Sequence, residues 1–275
     1  MKKTLNKIYT FSNSWTGTFI IVLFVIFFVA QAFVIPSGSM KKTLLIGDHL
    51  FVKKFSYGVP TPHLPWVEIP LLPDFKGNGH LLDGDKPKRG DIVVFRYPKD
   101  EKIHYVKRCI ATQGDEILYQ DKHLYIHFSE GDEYIKAHYP SEKIKMIAGK
   151  LWVHNPYQEL FPGIDYDEAI DLFAQMSLHL SAGQLAMKPA LINDLPVRSG
   201  YPFNAFYAKV EKDHFYMVGD NRDHSNDSRF WGSVPYANIV GKPWFVYFSW
   251  DDAYKIRWNR LFRSVESIQF DKSLL

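Results

Sequence analysis

Two serines near the start of the chain have the residue types and the spacing that nucleophilic catalysis requires. Ser37 and Ser39 flank Gly38 in the segment Ile35-Pro36-Ser37-Gly38-Ser39-Met40. The glycine permits the backbone excursion that an exposed nucleophile often needs. A serine hydroxyl also needs a partner that removes its proton. The segment therefore predicts a hydroxyl nucleophile, although Ser-Gly-Ser is also a common sequence of ordinary turns.

A candidate base lies in the strand-like segment His104-Tyr105-Val106-Lys107-Arg108-Cys109-Ile110. A lysine acts as a base only when it is neutral, and burial lowers a lysine pKa from about 10.4 toward neutrality. Strand alternation places Tyr105, Lys107 and Cys109 on one face and Arg108 on the other. The guanidinium of Arg108 stays protonated and is excluded as a base. Lys107 is the candidate, and the alternative is a solvated lysine at a sheet edge.

The sequence motifs of several other hydrolase and binding classes are absent. There are 11 histidines but no Gly-x-Ser-x-Gly and no His-Glu-x-x-His motif, and His123 and His127 lie in a strand-like run. The single cysteine, Cys109, excludes an internal disulfide framework and a Cys-rich zinc module. We therefore expect no metal and no other cofactor. A net charge of only +3 does not indicate nucleic-acid binding.

A third segment, Gly219–Gly232, alternates acidic and basic residues. Carboxylates and guanidiniums at this spacing form charge-assisted hydrogen bonds, which predicts a rigid loop with a self-satisfied network. Ser225 within the loop could orient a neighbouring amine. A purely structural turn is the other interpretation of this segment.

The apolar run Trp15–Ile35 predicts a transmembrane helix over 15–35. No charged residue occurs between Ile8 and Met40, and a helix over this range would be roughly 31 Å long, enough for a hydrocarbon layer of about 30 Å. The lysines before the run place residues 1–14 in the cytoplasm and residues 36–275 in an exported domain. The competing hypothesis is a cleaved signal peptide, with Ala30-Gln31-Ala32 as its cleavage site.

The exported part is predicted to be mostly β, because short runs rich in Val, Ile, Phe and Tyr end at Gly, Pro, Asp or Asn. Helical spacing from Ala169 to Leu180 predicts one helix that ends near Gly183, and Tyr57–Asp85 is predicted to be an extended loop. Residues 116–214 are predicted to be an insertion. The predicted strands are Leu50–Lys54, Ile92–Tyr97, His104–Ile110, Glu116–Tyr119, Lys122–His127, Phe215–Val218 and Trp244–Ser249, the last of them aromatic and near the membrane surface.

Four sequence blocks, taken together and in order, resemble the motifs of the bacterial type I signal peptidase (leader peptidase) family. The members of this family are Ser–Lys dyad proteases of the membrane surface. The blocks are Pro36–Met40 with Thr43-Leu44, Arg89–Phe95, Tyr105–Arg108 with Gly114-Asp115, and Gly219–Gly232. The resemblance implies a serine endopeptidase with antiparallel sheets that removes N-terminal signal peptides from exported preproteins after a small-x-small (Ala-x-Ala) motif. It implies no cofactor.

The resemblance also assigns roles to residues of this sequence. Ser39 is the nucleophile, Lys107 the general base, Ser37 a member of the oxyanion hole, and Ser225 the serine that positions the lysine amine. Asp220, Arg222, Asp227 and Arg229 match the salt-bridged scaffold. The small-residue pockets match Phe33, Ile35, Met40, Leu44, Val94, Tyr105 and Val106. One departure is Lys42, which stands where the family usually has proline.

The resemblance further implies a single-pass protein of the bacterial inner (cytoplasmic) membrane, with its catalytic domain on the periplasmic or outer side. Its partners would be preprotein signal peptides and the lipid bilayer, it would act near the secretion translocon, and it would bind no nucleic acid. Two other hypotheses remain open. One is a membrane-anchored, β-rich assembly or chaperone protein without enzymatic activity, and the other is a Ser–Lys protease that acts on other membrane proteins.

Overall fold

The computed structural model describes residues 2–64 and 68–274, and within these ranges the chain is mostly antiparallel β-structure, as predicted. The strands are β1 (Ala30–Val34), β2 (Asp48–Lys53), β3 (Gly58–Pro60), β4 (His80–Asp83), β5 (Ile92–Tyr97), β6 (Asp100–Thr112), β7 (Glu116–Gln120), β8 (His123–His127), β9 (Ile144–Ile147), β10 (Lys150–His154), β11 (Lys188–Ala190), β12 (Ala205–Lys209), β13 (His214–Val218), β14 (Val234–Pro235), β15 (Ile239–Ser249) and β16 (Arg263–Ser264). The α-helices are α1 (Lys2–Ser12), α2 (Trp15–Phe24), α3 (Asp132–His138), α4 (Leu172–Ser181), α5 (Ser228–Trp231) and α6 (Val265–Ile268).

An eight-stranded sheet carries the residues with catalytic potential. Its order is β1-β2-β15-β5-β6-β13-β14, and β16 pairs with β15. Strand β6 lies between β5 and β13, with Lys107 opposite Val93 of β5. The base candidate is therefore on an interior strand, where neighbouring strands limit its access to water.

A second, six-stranded sheet lies wholly within residues 116–214, the predicted insertion. Its order is β11-β12-β7-β8-β10-β9, and helices α3 and α4 belong to the same stretch of chain. The insertion shares one hydrophobic core with the first sheet, because Ile110 of β6 and Tyr216 of β13 join the cluster that contains Ile117 and Phe173. The hydroxyl of Tyr157 also donates to the Ile110 carbonyl at 2.6 Å. These contacts fix the insertion against the strand that carries Lys107.

The predicted helix over 15–35 is wrong beyond Val29. Helix α2 continues as a π-helical turn over Val25–Val29, and the chain then becomes β1. Strand β1 pairs with β2 along its whole length, with Ala32 opposite Phe51. An apolar run is compatible with a buried strand as well as with a helix. Here the backbone N–H and C=O groups of β2 pair with this run, and the strand forms. Across 2–64 and 68–274, the structure contains no helix of sufficient length and apolar character to traverse a membrane.

Two smaller predictions also differ from the structure. Helix α4 begins at Leu172 rather than near Ala169, because the side chain of Asp171 caps it by accepting from the Ala174 N–H. The segment predicted to be an extended loop, Tyr57–Asp85, contains the paired strands β3 and β4.

Candidate active site

The first element of the site is a short turn that presents Ser39. A 3₁₀ turn spans Gly38–Met40, and Ser39 is buried. Asn221 holds this turn from outside, since its backbone N–H donates to the Ser39 carbonyl at 3.1 Å and its Nδ2 donates to the Gly38 carbonyl at 2.9 Å. The Leu44 N–H donates to the Met40 carbonyl at 2.7 Å and closes the turn on its other side.

The structure brings Ser39 and Lys107 together, although they are 68 positions apart. The Nζ atom of Lys107 lies 2.6 Å from Ser39 Oγ and 3.1 Å from the Val106 carbonyl oxygen. The Lys107 side chain is only 4% exposed. Burial lowers the pKa of Lys107 from 10.5 to about 8, although Asp227 and Asp220 oppose the shift. The neutral amine is then accessible near neutral pH and can accept the proton of the Ser39 hydroxyl.

An aromatic stack forms the apolar side of the lysine environment. Lys107 Nζ lies 5.1 Å from the centre of the Tyr105 ring, and Tyr105 stacks on Tyr97 at 4.9 Å. Trp231 meets the Tyr97 ring edge to face at 5.5 Å. These rings exclude water from the amine, which is the physical origin of the lowered pKa.

The two other predicted serines lie on different sides of the nucleophile. Ser37 is exposed, its Oγ lies 3.5 Å from Ser39 Oγ, and both residues line the same cleft. Ser225 is buried, and its Oγ has no hydrogen-bond partner among the described residues. A Cβ atom on Gly219 would lie 2.3 Å from Ser225 Oγ and 2.5 Å from the Ser39 carbonyl oxygen. Only glycine at this position allows the loop to approach the Gly38–Met40 turn so closely. We call this turn, which carries Ser39, the nucleophile turn.

The predicted carboxylate–guanidinium network forms only in part within the Gly219–Gly232 loop. Asp227 and Arg229 pair there, through Nε and Nη2 at 2.8 Å each. Asp220 instead pairs with Arg108 on β6, through Nε at 2.8 Å and Nη2 at 2.7 Å. Burial alone would raise the pKa of either carboxyl, but the guanidiniums hold the pKa of Asp220 and of Asp227 below the ordinary value. Both carboxyls therefore stay charged beneath Lys107.

The guanidinium of the fourth predicted network residue, Arg222, pairs with no carboxylate among the described residues. Its Nη1 donates to the Tyr166 hydroxyl of the insertion at 3.3 Å, and its backbone carbonyl accepts from Arg229.

The sequence interpretation missed the role of Arg108 as the partner of Asp220, because Arg108 was considered only as a base. A buried arginine needs a carboxylate partner, so its place in an apolar strand was the signal that could have revealed it.

Two further ion pairs, neither of them predicted, involve residues that follow the nucleophile turn in the chain. Arg260 pairs with buried Asp48 at 2.6 Å and also donates to the Thr43 carbonyl at 2.9 Å. Lys42, the residue at the usual proline position, adopts a φ of 75°. Its Nζ lies 2.8 Å from Asp165 Oδ2 in the insertion. The departure from proline therefore coincides with a contact between the turn and the insertion.

An apolar cleft of about 850 Å³ leads to Ser39 and Lys107. Its walls come from β1 and β6, and five of the predicted pocket residues line it: Phe33, Ile35, Val94, Tyr105 and Val106. Met40 and Leu44 do not face this cleft. Both are fully buried beneath it in the cluster that contains Ile35 and Val94, because the nucleophile turn directs its apolar side chains into the core. Among the described residues, no group of three His, Cys, Asp or Glu side chains is arranged to hold a metal ion.

Comparison with known proteins gives consistent similarities over most of the chain. A family model described as signal peptidase, peptidase S26, matches residues 8–250. Signal peptidase I of Helicobacter pylori strain J99 is 48% identical over 287 aligned residues, covering 97% of this chain and 96% of that protein. Signal peptidase I of Pseudomonas aeruginosa is 32% identical over 253, covering 88% and 73%. A crystal structure of a signal peptidase I from Enterococcus faecalis is 20% identical, covers 57% of this chain and 97% of that one, and has a TM-score of 0.29, too low to bear on the fold.

Proposed function

Because the chain belongs to the signal peptidase family, peptidase S26, and is therefore a hydrolase, we propose that it removes signal peptides from exported preproteins with Ser39 and Lys107 as its catalytic dyad. The observation that carries the proposal is the contact of 2.6 Å between Lys107 Nζ and Ser39 Oγ. A buried lysine with a lowered pKa, touching a serine at the end of an apolar cleft, is the arrangement that an activated hydroxyl nucleophile requires.

Acylation follows from this geometry. The neutral amine of Lys107 takes the proton of Ser39 as Oγ attacks the scissile carbonyl carbon. The ammonium then returns that proton to the departing nitrogen as the C–N bond breaks, which leaves an ester on Ser39. In this proposal the Ser37 hydroxyl and the Ser39 N–H stabilise the oxyanion, and one such donor contributes about 3 kcal/mol to the barrier reduction.

Deacylation uses the same base. Lys107, again neutral, takes a proton from a water molecule that attacks the ester carbonyl carbon. The Ser39 oxygen leaves as the ester bond breaks and recovers its proton from the lysine. The products are the signal peptide carboxylate and the free amine of the mature protein. Because a single group acts in both steps, its pKa governs the whole cycle.

The substrate class follows from the cleft. An extended segment laid between β1 and β6 would place alternate side chains against the apolar wall formed by Phe33, Ile35 and Val106. We propose that this wall accepts small side chains on both sides of one residue, the small-x-small motif. Preprotein signal peptides are then the partners, and cleavage takes place near the secretion translocon.

We propose that the N-terminal apolar segment attaches the chain to the bacterial cytoplasmic membrane in a single pass, with residues 36–275 on its outer side. Trp15 is 95% exposed and Phe19 63% exposed, so this segment has large apolar side chains without protein neighbours. Exposed aromatic residues on β15 and on the 3₁₀ turn that follows it, Trp244 at 45% and Trp258 at 74%, offer a second apolar contact with lipid. The positive charges before residue 8 support the orientation.

The test is cleavage of a preprotein by the purified full chain in lipid or detergent, with the same protein lacking its signal peptide as substrate control. We expect cleavage of the preprotein alone, at a single bond after a small-x-small motif. Ser39→Ala and Lys107→Arg should each lower the rate by roughly 10⁴-fold or more, since the two residues act as one unit and a guanidinium stays protonated.

Lys102→Arg, an exposed position on the same strand, is the matched control and should retain full activity. Substantial activity of Lys107→Arg would eliminate the lysine-base mechanism. Absence of cleavage by every variant, wild type included, would favour a non-enzymatic assembly protein. Cleavage of the signal-less control would indicate a protease with broader membrane-protein substrates.

A further inference from the structure

A second cavity, of about 640 Å³, adjoins the active-site cleft. We call it the α4 cavity, because helix α4 of the insertion forms one of its walls. His224 and Asn226 line both the cleft and the α4 cavity, so the two spaces meet along the Asn221–Asn226 loop. This is the loop whose first residue holds the nucleophile turn through the Gly38 and Ser39 carbonyls.

The α4 cavity has a polar interior that the described part of the protein leaves unsatisfied. Two residues that line it are at least nine-tenths buried and carry a polar atom without a hydrogen-bond partner: Asp223 Oδ1 and Trp231 Nε1. Buried polar atoms in proteins are nearly always hydrogen-bonded. An acceptor and an N–H donor left over in one space therefore indicate a bound molecule that supplies both donors and acceptors. An extended peptide backbone does so at every residue.

Helix α4 adds one apolar and two polar side chains to the wall of the α4 cavity. Leu172, Gln175 and His179 follow one another at helical spacing and line the α4 cavity. Gln175 and His179 are exposed, and the His179 ring meets the Phe230 ring edge to face at 5.2 Å. The amide of Gln175 both donates and accepts hydrogen bonds. These residues belong to the insertion, so the insertion completes a space that begins at the catalytic turn.

The direction of the substrate identifies the occupant. Residues Ile103 to Lys107 of β6 line the cleft together with Ser39. On the proposed function, a signal peptide lies along this part of β6 and presents its scissile bond to Ser39. Beyond Ser39 the chain meets Asn221 and then His224, at the entrance of the α4 cavity. We propose that the α4 cavity binds the first residues of the mature protein, the segment that follows the scissile bond. This inference rests on the proposed signal-peptide cleavage.

The test compares two substrates of the full-length enzyme. One is a signal peptide followed by a polar mature segment, and the other is the same signal peptide followed directly by an aminocoumarin leaving group. The double variant Gln175→Ala/His179→Ala should lower kcat/KM about fivefold to tenfold for the long substrate, mainly through KM, and leave the short one unchanged. Leu178→Ala, at an exposed residue of the same helix that does not line the α4 cavity, is the matched control and should change neither.

A second measurement does not depend on turnover. Benzoylphenylalanine placed at position 175 of the Ser39→Ala protein should crosslink to the mature segment of a bound preprotein, and the same label at position 178 should not. Equal effects of the double variant on both substrates, or crosslinking at 175 no stronger than at 178, would overturn the inference while the proposed function stands. Failure of the wild type to cleave either substrate would overturn both.

Discussion

Lys107 owes its properties to a balance between burial and two nearby carboxylates. Burial lowers its pKa to about 8, and Asp227 and Asp220 limit the shift. Those carboxylates are themselves paired with Arg229 and Arg108. Without the arginines, the two negative charges would act on the ammonium in full and favour its protonated form. The buried ion pairs therefore keep the base neutral enough to work, besides fixing the loop in place.

The same balance predicts a cost in stability. At pH 7 the protonated Lys107 is disfavoured in the fold, so Lys107→Met should stabilise the protein by up to about 3 kcal/mol, since one pKa unit corresponds to about 1.4 kcal/mol. Because the pKa is lowered on folding, the unfolded chain binds more protons between pH 8 and 10.5. Wild-type stability therefore rises across this window, and the advantage of the variant shrinks.

Thermal unfolding of both proteins from pH 7 to pH 10.5 measures this difference, with Lys102→Met as the control for an exposed lysine of the same strand. An advantage that grows with pH, or none at pH 7, would show that the fold does not disfavour the charged amine.

The nucleophile turn depends on a segment of the insertion. Asp165 donates its N–H to the Asp220 carbonyl at 2.9 Å and accepts from the Arg222 N–H at 2.9 Å. Gly163 lies so close to the turn that an added Cβ atom would be 2.2 Å from Thr43 Oγ1, the hydroxyl that donates to Asp220 at 2.6 Å. The insertion is thus part of the support of the active site.

Gly163→Ala should displace Thr43 and, through it, Ser39. We expect kcat to fall about tenfold or more with KM changed less, because a small misplacement of a nucleophile is costly while the cleft stays intact. Single-turnover acylation is the measurement. Gly183→Ala, in the insertion, adds a Cβ with no atom within 4 Å but strains the backbone at a φ of 68°, so it is the control for backbone strain without a contact to Thr43 and should acylate normally. Equal acylation rates for the two variants would separate the insertion from catalysis.

Local patterns explain which elements could be predicted from the sequence. Strand β5 was predicted with its observed bounds, because Ile92–Tyr97 is a compact apolar run with clear ends. Strand β1 was predicted as helix, because an apolar run has no local feature that marks where pairing with β2 begins. Strand β12, Ala205–Lys209, was missed, since only its partners β7 and β11 make it a strand.

The residues of the site divide in the same way, into those that local sequence patterns predict and those that only tertiary contacts reveal. Ser39 and Lys107 were predicted from residue types and a family resemblance, since each lies in a recognisable block. The contacts of Gly163 with Thr43 and of Asp165 with Lys42 were not predicted, because they join segments far apart in a region without a recognised block. Met40 and Leu44 were assigned to the cleft because apolar residues beside a nucleophile can face either way, and only the packed core shows that they face inward.

Strand β1 joins the apolar N-terminal segment to a body that contains the eight-stranded sheet, the six-stranded sheet and the β3–β4 pair. This strand is both the continuation of that segment and a wall of the cleft, since it carries Phe33. Under the proposed membrane attachment, a substrate held in the same bilayer would meet the cleft at the point where the N-terminal segment of the enzyme leaves the lipid. Five backbone positions of β1 pair with β2, which ties the segment firmly to the body.

That pairing predicts that the N-terminal segment is retained. Cleavage after Ala32 would cut through β1 opposite Phe51 and separate Phe33 from the residues before it, and a paired strand resists proteolysis. Mass spectrometry of the protein extracted from membranes should give a chain that still carries residues 2–35. A mature N-terminus at Phe33 would identify Ala30-Gln31-Ala32 as a signal-peptide cleavage site instead.

The most direct measurement of the proposed mechanism is kcat/KM against pH for preprotein cleavage by the wild-type enzyme. Since Lys107 must be neutral to accept the Ser39 proton, activity should be lost as the pH falls through the Lys107 pKa, with half of the limiting value near pH 8. A half-maximal value near pH 10 or above would mean that the lysine is not desolvated in the free enzyme. A value near 6.5, the ordinary pKa of histidine, would assign the base to a histidine and contradict the Ser39–Lys107 dyad.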